Sequence, residues 1–323
     1  MPVWISIAIG LVLLIVGGEV LVRGASSAAR KLGVSPLLIG LTLVGFGTST
    51  PELVTSLQAA FAGSPGIAVG NVVGSNISNA LLILGLTALI MPVAVERRAF
   101  LRDGPMLALV TGAAIWILMQ GELTRRIGWI ALGVLGAYIL LVWLLERKRP
   151  DAEGERIEDE AELMSGWRAS PWTALIIAAV GIGVTIVGAR FLVDGAVQLA
   201  RSYGVSDTVV GLTIVAVGTS MPELVTSVIA AFRRQGDVAL GNVIGSNLYN
   251  LLGILGVTAV VQPIPVPPEL LRVDIWVLAG ATGAMILFAF RGMRISRWEG
   301  LALIAGYGGY TAWLLWSAGV FAL

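Results

Sequence analysis

The sequence Gly47-Thr-Ser-Thr-Pro-Glu-Leu-Val-Thr-Ser56 lies in a hydrophobic part of the chain and carries a carboxylate, several hydroxyl groups and a proline. The stretch Gly70-Asn-Val-Val-Gly-Ser-Asn-Ile-Ser-Asn79 follows it and adds amide groups. A charged side chain near the centre of a bilayer costs at least about 2.5–3.5 kcal/mol, so such residues are rare in membrane helices and are usually functional. The two stretches therefore predict a polar functional site inside a membrane.

Both stretches occur a second time, as Gly218-Thr-Ser-Met-Pro-Glu-Leu-Val-Thr-Ser227 and Gly241-Asn-Val-Ile-Gly-Ser-Asn-Leu-Tyr-Asn250. The offset in numbering between the copies is the same at every position, so no insertion separates them over this span. A lone intramembrane glutamate could belong to a structural salt bridge. Two glutamates, Glu52 and Glu223, in matching contexts favour one binding site built from both copies.

The composition indicates a polytopic membrane protein. Of the 323 residues, 57% are hydrophobic and 13% are charged, whereas soluble domains carry roughly 25% charged residues. The net charge of +1 gives no indication of nucleic-acid binding. The apolar run at the N-terminus continues for a full span without the basic segment of a cleavable signal peptide, so it is predicted to be the first membrane helix.

The chain contains neither Cys nor His. Thiolate and imidazole metal ligands, Cys-His or Ser-His catalytic arrangements and a histidine proton relay are therefore excluded. Oxygen ligands remain, and hard cations such as Ca²⁺, Na⁺ and Mg²⁺ prefer oxygen. We accordingly expect a protein that is not an enzyme, uses no cofactor and requires no protein partner.

A membrane helix needs about 20 mostly apolar residues. Ten stretches satisfy this requirement and predict an all-α membrane protein with ten transmembrane helices. They are 3–22, 36–62, 67–91, 104–120, 127–146, 172–198, 205–231, 238–261, 273–290 and 298–319.

The segment after the fifth stretch is dense in charges of both signs and is predicted to be an aqueous linker, 147–170. It separates a first five-helix repeat, 1–146, from a second, 171–323. Because five is odd, the second repeat must enter the membrane in the opposite orientation, which is the inverted-repeat architecture of many transporters. The repeated motifs, 40–85 and 211–256, are then expected to meet near the midplane of the bilayer.

The distribution of Lys and Arg predicts the orientation. Sixteen of the 21 fall in the loops after the odd-numbered stretches, and four fall on the opposite side. We therefore expect a multi-pass protein of the plasma (inner) membrane with both termini outside and the linker 147–170 in the cytoplasm.

Helical spacing places the polar residues on shared faces. Thr48 and Ser49 lie four and three residues before Glu52, and Thr219 and Ser220 copy this relative to Glu223. Further along, Asn71, Ser75 and Asn79 form a stripe that Asn242, Ser246 and Asn250 repeat. Pro51 and Pro222 each remove an intrahelical hydrogen bond and free a carbonyl about one turn earlier.

Two interpretations of these small polar residues remain open. The hydroxyl residues flanking the glutamates are interpreted as cation ligands. The Gly70/Gly74 and Gly241/Gly245 pairs are interpreted as close-packing positions, as in small-xxx-small motifs. A second paired feature, Glu19 with Arg23 and Arg190 with Asp194, has the spacing of structural i, i+4 ion pairs, with a role in gating as the alternative.

At these residues the chain resembles the calcium/cation antiporter superfamily, and within it the bacterial and archaeal sodium/calcium exchangers, including the YrbG-like proteins. The motif G-T-S-x-P-E followed by G-N-x-x-G-S-N-x-x-N, present twice, carries the resemblance, which extends over essentially the whole chain. It implies that Glu52 and Glu223 are the central calcium ligands, with the backbone carbonyls of Thr48 and Thr219 completing the shell. The implied sodium-site groups are Ser49, Ser220, Ser75, Ser246, Asn79 and Asn250, with carbonyls near Gly45 and Ala216. It also implies that the first and sixth helices slide across the other eight.

The resemblance implies an antiporter that exchanges Na⁺ for Ca²⁺ by alternating access. Glu52 and Glu223 supply a charge of −2, which balances one Ca²⁺ or two Na⁺. Two empty carboxylates would repel each other, so H⁺ in place of Na⁺ is the alternative driver. Some relatives carry Asp where this chain has Asn250, which makes potassium dependence less expected and sodium coupling less secure. Other divalent cations, a cation channel and an intramembrane enzyme are the remaining alternatives.

Overall fold

The computed structural model describes residues 2–31, 47–146, 170–232 and 236–319, and nearly all of this chain is helical. Both repeats run through the same series of elements. The elements of the first half are α1 (Val3–Lys31), α2 (Thr50–Phe61), α3 (Pro65–Ser78), a π-turn (Asn79–Ile83), α4 (Leu84–Ile90), β1 (Val93–Ala94), α5 (Arg97–Leu118), β2 (Glu122–Leu123) and α6 (Arg125–Glu146).

The second half repeats this order with a longer broken helix before its glutamate. Its elements are α7 (Pro171–Tyr203), α8 (Asp207–Val210), a π-turn (Gly211–Val215), α9 (Ala216–Thr219), α10 (Met221–Phe232), α11 (Gly236–Tyr249), a π-turn (Asn250–Ile254), α12 (Leu255–Val261), β3 (Ile264–Pro265), α13 (Asp274–Phe290), β4 (Arg294–Ile295) and α14 (Arg297–Ser317). The predicted linker falls on residues 147–169, outside the described residues.

The expectation of an all-helical membrane protein is confirmed. Within the described residues six helices are long and apolar enough to cross a membrane, and the bent pair Asp207–Thr219 and Met221–Phe232 would make a seventh. Every predicted stretch that lies wholly inside the described residues coincides with helix. The predicted stretch 36–62 is described only from residue 47.

The two helices that carry the polar stripes form the centre of the protein. In the continuous helices Pro65–Ile90 and Val238–Val261, 78% of the residues in the most apolar window are buried, against 17–39% in the other four. A buried helix is apolar all round apart from its functional groups. Their position explains why the intervening asparagines and serines are out of contact with lipid.

Two short antiparallel ribbons join the halves. β1 pairs with β4, so that Val93 lies opposite Ile295, and β2 pairs with β3, so that Leu123 lies opposite Ile264. Each ribbon therefore connects a loop of the first half to a loop of the second. Val93, Leu123, Ile264 and Ile295 are all buried, which anchors the ribbons on the helices.

The long helices α1 and α7 pack against each other backbone to backbone. Glycines recur every seven residues along the contact. A Cβ atom at Gly17 would lie 2.6 Å from the backbone nitrogen of Thr185, and one at Gly188 would lie 2.7 Å from that of Leu14. Neither position can hold a side chain without separating the helices. The series is Gly10, Gly17 and Gly24 on α1 and Gly181, Gly188 and Gly195 on α7.

Candidate functional site

The helix that carries each glutamate begins less than one turn before the carboxylate. Ser49 (φ −87°, ψ 10°) precedes α2, and Ser220 (φ −81°, ψ 10°) separates α9 from α10, where the axis bends by 44°. Pro51 and Pro222 follow two residues after these serines, and a proline cannot donate the hydrogen bond that would continue a helix. Each break therefore leaves hydroxyls and carbonyls close to a glutamate at the N-terminal end of a helix.

The two glutamates are fully buried, and each accepts a hydrogen bond from the other half of the chain. Ser49 Oγ donates to Glu223 Oε1 at 2.8 Å, and Ser220 Oγ donates to Glu52 Oε1 at 2.9 Å. The two bonds are equivalent under the sequence repeat. The structure thus brings the four residues into one cluster in which each carboxylate is oriented by the opposite repeat.

Within the described part of the chain, several oxygen atoms of this cluster have no hydrogen-bond partner. They include the second carboxylate oxygens, Oε2 of Glu52 and Oε2 of Glu223, and the hydroxyl of Thr48. Burial of an ionised carboxylate oxygen without a partner is costly. A cation bound between the glutamates would satisfy both free oxygens at once.

Two asparagines hold the glutamate helices against the central helices. Asn71 Nδ2 donates to the carbonyl of Glu52 at 3.1 Å and to Ser56 Oγ at 2.9 Å. Asn242 makes the equivalent bonds to Glu223 at 3.4 Å and Ser227 at 3.0 Å. These asparagines belong to the predicted stripes, and their contacts fix the glutamate helices rather than approach the carboxylates.

The threonines four residues before the glutamates, Thr48 and Thr219, make different contacts in the two repeats. Thr219 Oγ1 donates to Asn71 Oδ1 at 3.0 Å and lies equally close to the Val215 carbonyl. Thr48 Oγ1, its counterpart, has no partner among the described residues. The second-half threonine is therefore fixed by its neighbours, whereas the first-half hydroxyl lies near Glu223 without a hydrogen bond of ordinary length.

The predicted serines and carbonyls lie around the same cluster. Ser246 Oγ makes a long contact of 3.5 Å to Glu223 Oε1, and Ser75 Oγ donates to the carbonyl of Ala216 at 3.4 Å. Asn79 and Asn250 are fully buried, and each begins a π-turn. Such turns are frequent at functional sites. The predicted group near Gly45 lies outside the described residues.

The chemistry of the cluster is that of an oxygen-only site with two carboxylates. The described residues contain no group of three or more Asp, Glu, His or Cys side chains that could hold a metal ion. A divalent cation at Glu52 and Glu223 would therefore complete its shell with hydroxyls, amides and backbone carbonyls. Ca²⁺ accepts such mixed oxygen shells of six to eight ligands, whereas Mg²⁺ dehydrates reluctantly.

A second repeated pair of polar residues, outside the repeated motifs, joins neighbouring outer helices and was not predicted from the sequence. Tyr138 donates to Asp103 at 2.8 Å, and Tyr310 donates to Asp274 at 2.8 Å. Asp103 also pairs with its neighbour Arg102. The aspartates are equivalent under the sequence repeat, and the tyrosines depart from it by a single position. A search for repeated polar residues along the whole chain would therefore have found both pairs.

The two predicted i, i+4 ion pairs differ. Arg23 Nε donates to Glu19 at 2.6 Å, as expected for a pair on one helix. Arg190 and Asp194 are both exposed, and no ion pair links them in the described part of α7. The reversed charge order in the second half therefore produces no bridge.

The sequence of the chain matches a known protein family. The model of the family described as "Sodium/calcium exchanger protein" matches residues 2–144 and 173–316. The two matched ranges leave the predicted linker between them.

Similar full-length proteins come from bacteria and archaea. The chain is 40% identical to the putative antiporter CaxA of Alkalimonas amylolytica, with 97% of this chain and 98% of that protein covered. It is 34% identical to the inner membrane protein YrbG of Escherichia coli (strain K12), with 95% of each covered. It is 32% identical to the sodium/calcium exchanger MaX1 of Methanosarcina acetivorans, with 94% and 96% covered.

The structure is also similar to solved structures of the sodium-calcium exchanger NCX_Mj. The crystal soaked with 10 mM Na⁺ and 10 mM Sr²⁺ superposes with a TM-score of 0.64 at 32% identity, with 95% of this chain and 96% of that chain covered. The crystal soaked with 2.5 mM Na⁺ and 0.1 mM Ca²⁺ gives the same TM-score and identity, with 97% and 99% covered.

Proposed function

The chain belongs to the sodium/calcium exchanger protein family, and from this membership we propose that it is a secondary antiporter exchanging Na⁺ for Ca²⁺ across the plasma membrane. In this proposal Ca²⁺ binds between Glu52 and Glu223 and moves by alternating access. The observation that carries the proposal is the pair of buried Oε2 atoms without partners among the described residues, on carboxylates whose Oε1 atoms are already held by Ser220 and Ser49.

The donor set supports a hard cation as the transported substrate. The two carboxylates are surrounded by Thr48, Ser49, Thr219 and Ser220. The backbone carbonyls of the two threonines are proposed to complete the calcium shell. The groups proposed for Na⁺ are Ser49, Ser220, Ser75, Ser246, Asn79, Asn250 and the carbonyls near Gly45 and Ala216. The transported ions are substrates, and the protein needs no cofactor.

The proposed architecture is ten membrane spans in two inverted repeats, 1–146 and 171–323. The strand pairing supports it, because the loops joined by β1 and β4 follow the third and ninth predicted spans, and those joined by β2 and β3 follow the fourth and eighth. Alternating spans place each pair of loops on one side of the membrane. With both termini outside, the β1–β4 ribbon and the linker 147–170 are cytoplasmic.

A Ca²⁺/H⁺ antiporter with the same glutamates is the second candidate. The observation that favours it is charge: Asn79 and Asn250 are both neutral, so only −2 is available to balance the bound cations. Several Na⁺ ions bound together would exceed this charge, whereas two protons would neutralise it.

Flux into reconstituted vesicles distinguishes the two candidates. Proteoliposomes loaded with Na⁺, K⁺ or choline at equal pH receive external radioactive Ca²⁺. Uptake that requires internal Na⁺ is expected. Uptake that ignores Na⁺ and follows an imposed pH gradient would replace Na⁺ by H⁺ as the driver. Uptake without any counter-ion would indicate a channel, and absence of uptake under all conditions would exclude Ca²⁺ as the substrate.

A further inference from the structure

Four buried asparagines lie on the central helices where the two halves meet. Asn79 Nδ2 donates to Asn247 Oδ1 at 3.0 Å, and Asn247 Nδ2 donates to the carbonyl of Asn76 at 3.3 Å. None of these residues, nor Asn250, exposes more than 1% of its surface. Asn247 therefore joins the second half to two positions of the first half through one amide group.

The equivalent residues of the opposite half do not make these bonds. Asn76 is the first-half counterpart of Asn247, yet its Nδ2 donates to Val72 of its own helix at 2.8 Å and its Oδ1 has no partner in the described chain. Asn250 is the counterpart of Asn79, and neither of its amide atoms has a partner among the described residues. The asparagine network thus departs from the symmetry of the sequence repeat, which the two Ser–Glu hydrogen bonds obey.

The repeat supplies the groups for a mirrored network. In it Asn250 Nδ2 would donate to Asn76 Oδ1, Asn76 Nδ2 would donate to the Asn247 carbonyl, and Asn247 would turn to Val243 of its own helix. In the observed network Asn247 Nδ2 donates to the carbonyl of Asn76, whereas in the mirrored network it would donate to Val243 instead. They contain the same kinds of hydrogen bond in equal number, so the number of hydrogen bonds favours neither.

We propose that Asn76 and Asn247 are positioning residues that form a two-state amide switch. Each network accompanies one access state of the antiporter and leaves both amide atoms of one asparagine, Asn250 or Asn79, without a partner among the described residues. The two repeats are inverted copies that meet at one site, and in this proposal a contact made by one repeat in one access state is made by the other repeat in the opposite state. The inference rests on the proposed antiport function.

The test compares Asn247→Ala with Asn76→Ala. Asn247→Ala removes both bonds between the halves in the observed network, and Asn76→Ala removes both in the mirrored network. Because a net hydrogen bond corresponds to a factor of about five in an equilibrium, each variant should change the ratio of the Ca²⁺ KM values at the two membrane faces by about fivefold or more. The two changes should have opposite directions, since the apparent affinity at each face follows the population of the state open to it.

The KM values are measured as Ca²⁺ fluxes in right-side-out and inverted membrane vesicles. The double variant should return the ratio close to that of the unsubstituted protein. Thr87→Val and Thr258→Val are matched controls, because these equivalent hydroxyls bond to carbonyls of their own helices, at 2.7 and 2.6 Å, and should leave the ratio unchanged.

A ratio that changes in the same direction in both asparagine variants, or in neither, overturns the switch. If an alanine variant does not fold, Asn247→Leu and Asn76→Leu keep a similar side-chain volume and lose the amide, and the same opposite changes are required of them. Absence of Ca²⁺ flux in the unsubstituted protein is a different result, which rejects the proposed function before the variants are compared.

Discussion

Ser49 in the first half donates a hydrogen bond to Glu223 in the second half, and Ser220 in the second half donates one to Glu52 in the first. Each half therefore provides the glutamate of one Ser–Glu pair and the serine of the other. A serine close in sequence to one glutamate orients the glutamate of the opposite half. The cluster can form only when both halves are folded against each other.

Replacement of either glutamate by glutamine should abolish Ca²⁺ transport and leave the protein folded. Glu52→Gln and Glu223→Gln each remove half of the negative charge that balances the cation. The loss of Ca²⁺ affinity should exceed the roughly 10–100-fold produced by changes to groups that only orient ligands. Radioactive Ca²⁺ uptake and size-exclusion chromatography measure the two properties, and the exposed Glu122→Gln serves as control. Normal uptake in either variant would refute the assignment of the site.

Removal of either orienting serine should weaken Ca²⁺ binding without abolishing it. Ser49→Ala and Ser220→Ala each free one Oε1 atom, and we expect a roughly 10–100-fold rise in the KM for Ca²⁺ in both. The two variants should be alike because their bonds are equivalent and of nearly equal length. Ser64→Ala is the control, because this buried serine makes no side-chain capping bond. An effect confined to one of the two serines would show that the bonds are not functionally equivalent.

The packing of α1 on α7 should depend on individual glycines. Gly188→Ala places a methyl group 2.7 Å from the Leu14 nitrogen, and overpacking of this kind costs about 1–3 kcal/mol. Gly183→Ala on the same helix meets no described atom within 4 Å and should be neutral or slightly stabilising. Thermal unfolding in detergent compares the two variants. Equal melting temperatures would contradict the close backbone contact.

The two Asp–Tyr pairs should differ in their contribution to stability. Tyr310→Phe leaves the carboxylate of Asp274, which is only 5% exposed, without its side-chain donor. Tyr138→Phe leaves Asp103 still paired with Arg102. An unsatisfied buried polar group costs about 1–3 kcal/mol, so Tyr310→Phe should lower the melting temperature more than Tyr138→Phe. The opposite order would indicate that Arg102 does not compensate for the lost hydroxyl.

The sequence repeat predicted the positions of the helices and of both glutamates because the polar motifs and their constant offset are visible without a structure. The same information could not predict that Ser49 contacts Glu223 rather than Glu52. An offset defines which residues are equivalent, whereas contacts between the repeats depend on how the repeats are placed. The packing of α1 on α7 follows from glycine spacing and could have been predicted by examining the apolar helices as closely as the motifs.

The hydrogen bonds of Asn76 and Asn247 could not be predicted from the sequence repeat. Asn76 and Asn247 are identical in type, context and offset, and any argument from sequence assigns them the same hydrogen bonds. Their bonds nevertheless differ, because Asn247 donates to the carbonyl of Asn76 in the other half, whereas Asn76 donates to Val72 of its own helix. A property of this kind belongs to the folded state and has no counterpart in a residue pattern.

The two ribbons also constrain how the protein can be made. β1 at Val93–Ala94 pairs only with β4 at Arg294–Ile295, and β2 only with β3, so residues inserted early remain unpaired until nearly the whole chain has left the ribosome. Neither half can close its own ribbons or complete its own glutamate cluster. Truncation after the linker should therefore yield a fragment that inserts into the membrane yet depends on chaperones and is susceptible to proteolysis. Coexpression of the two halves as separate chains should restore the assembled protein.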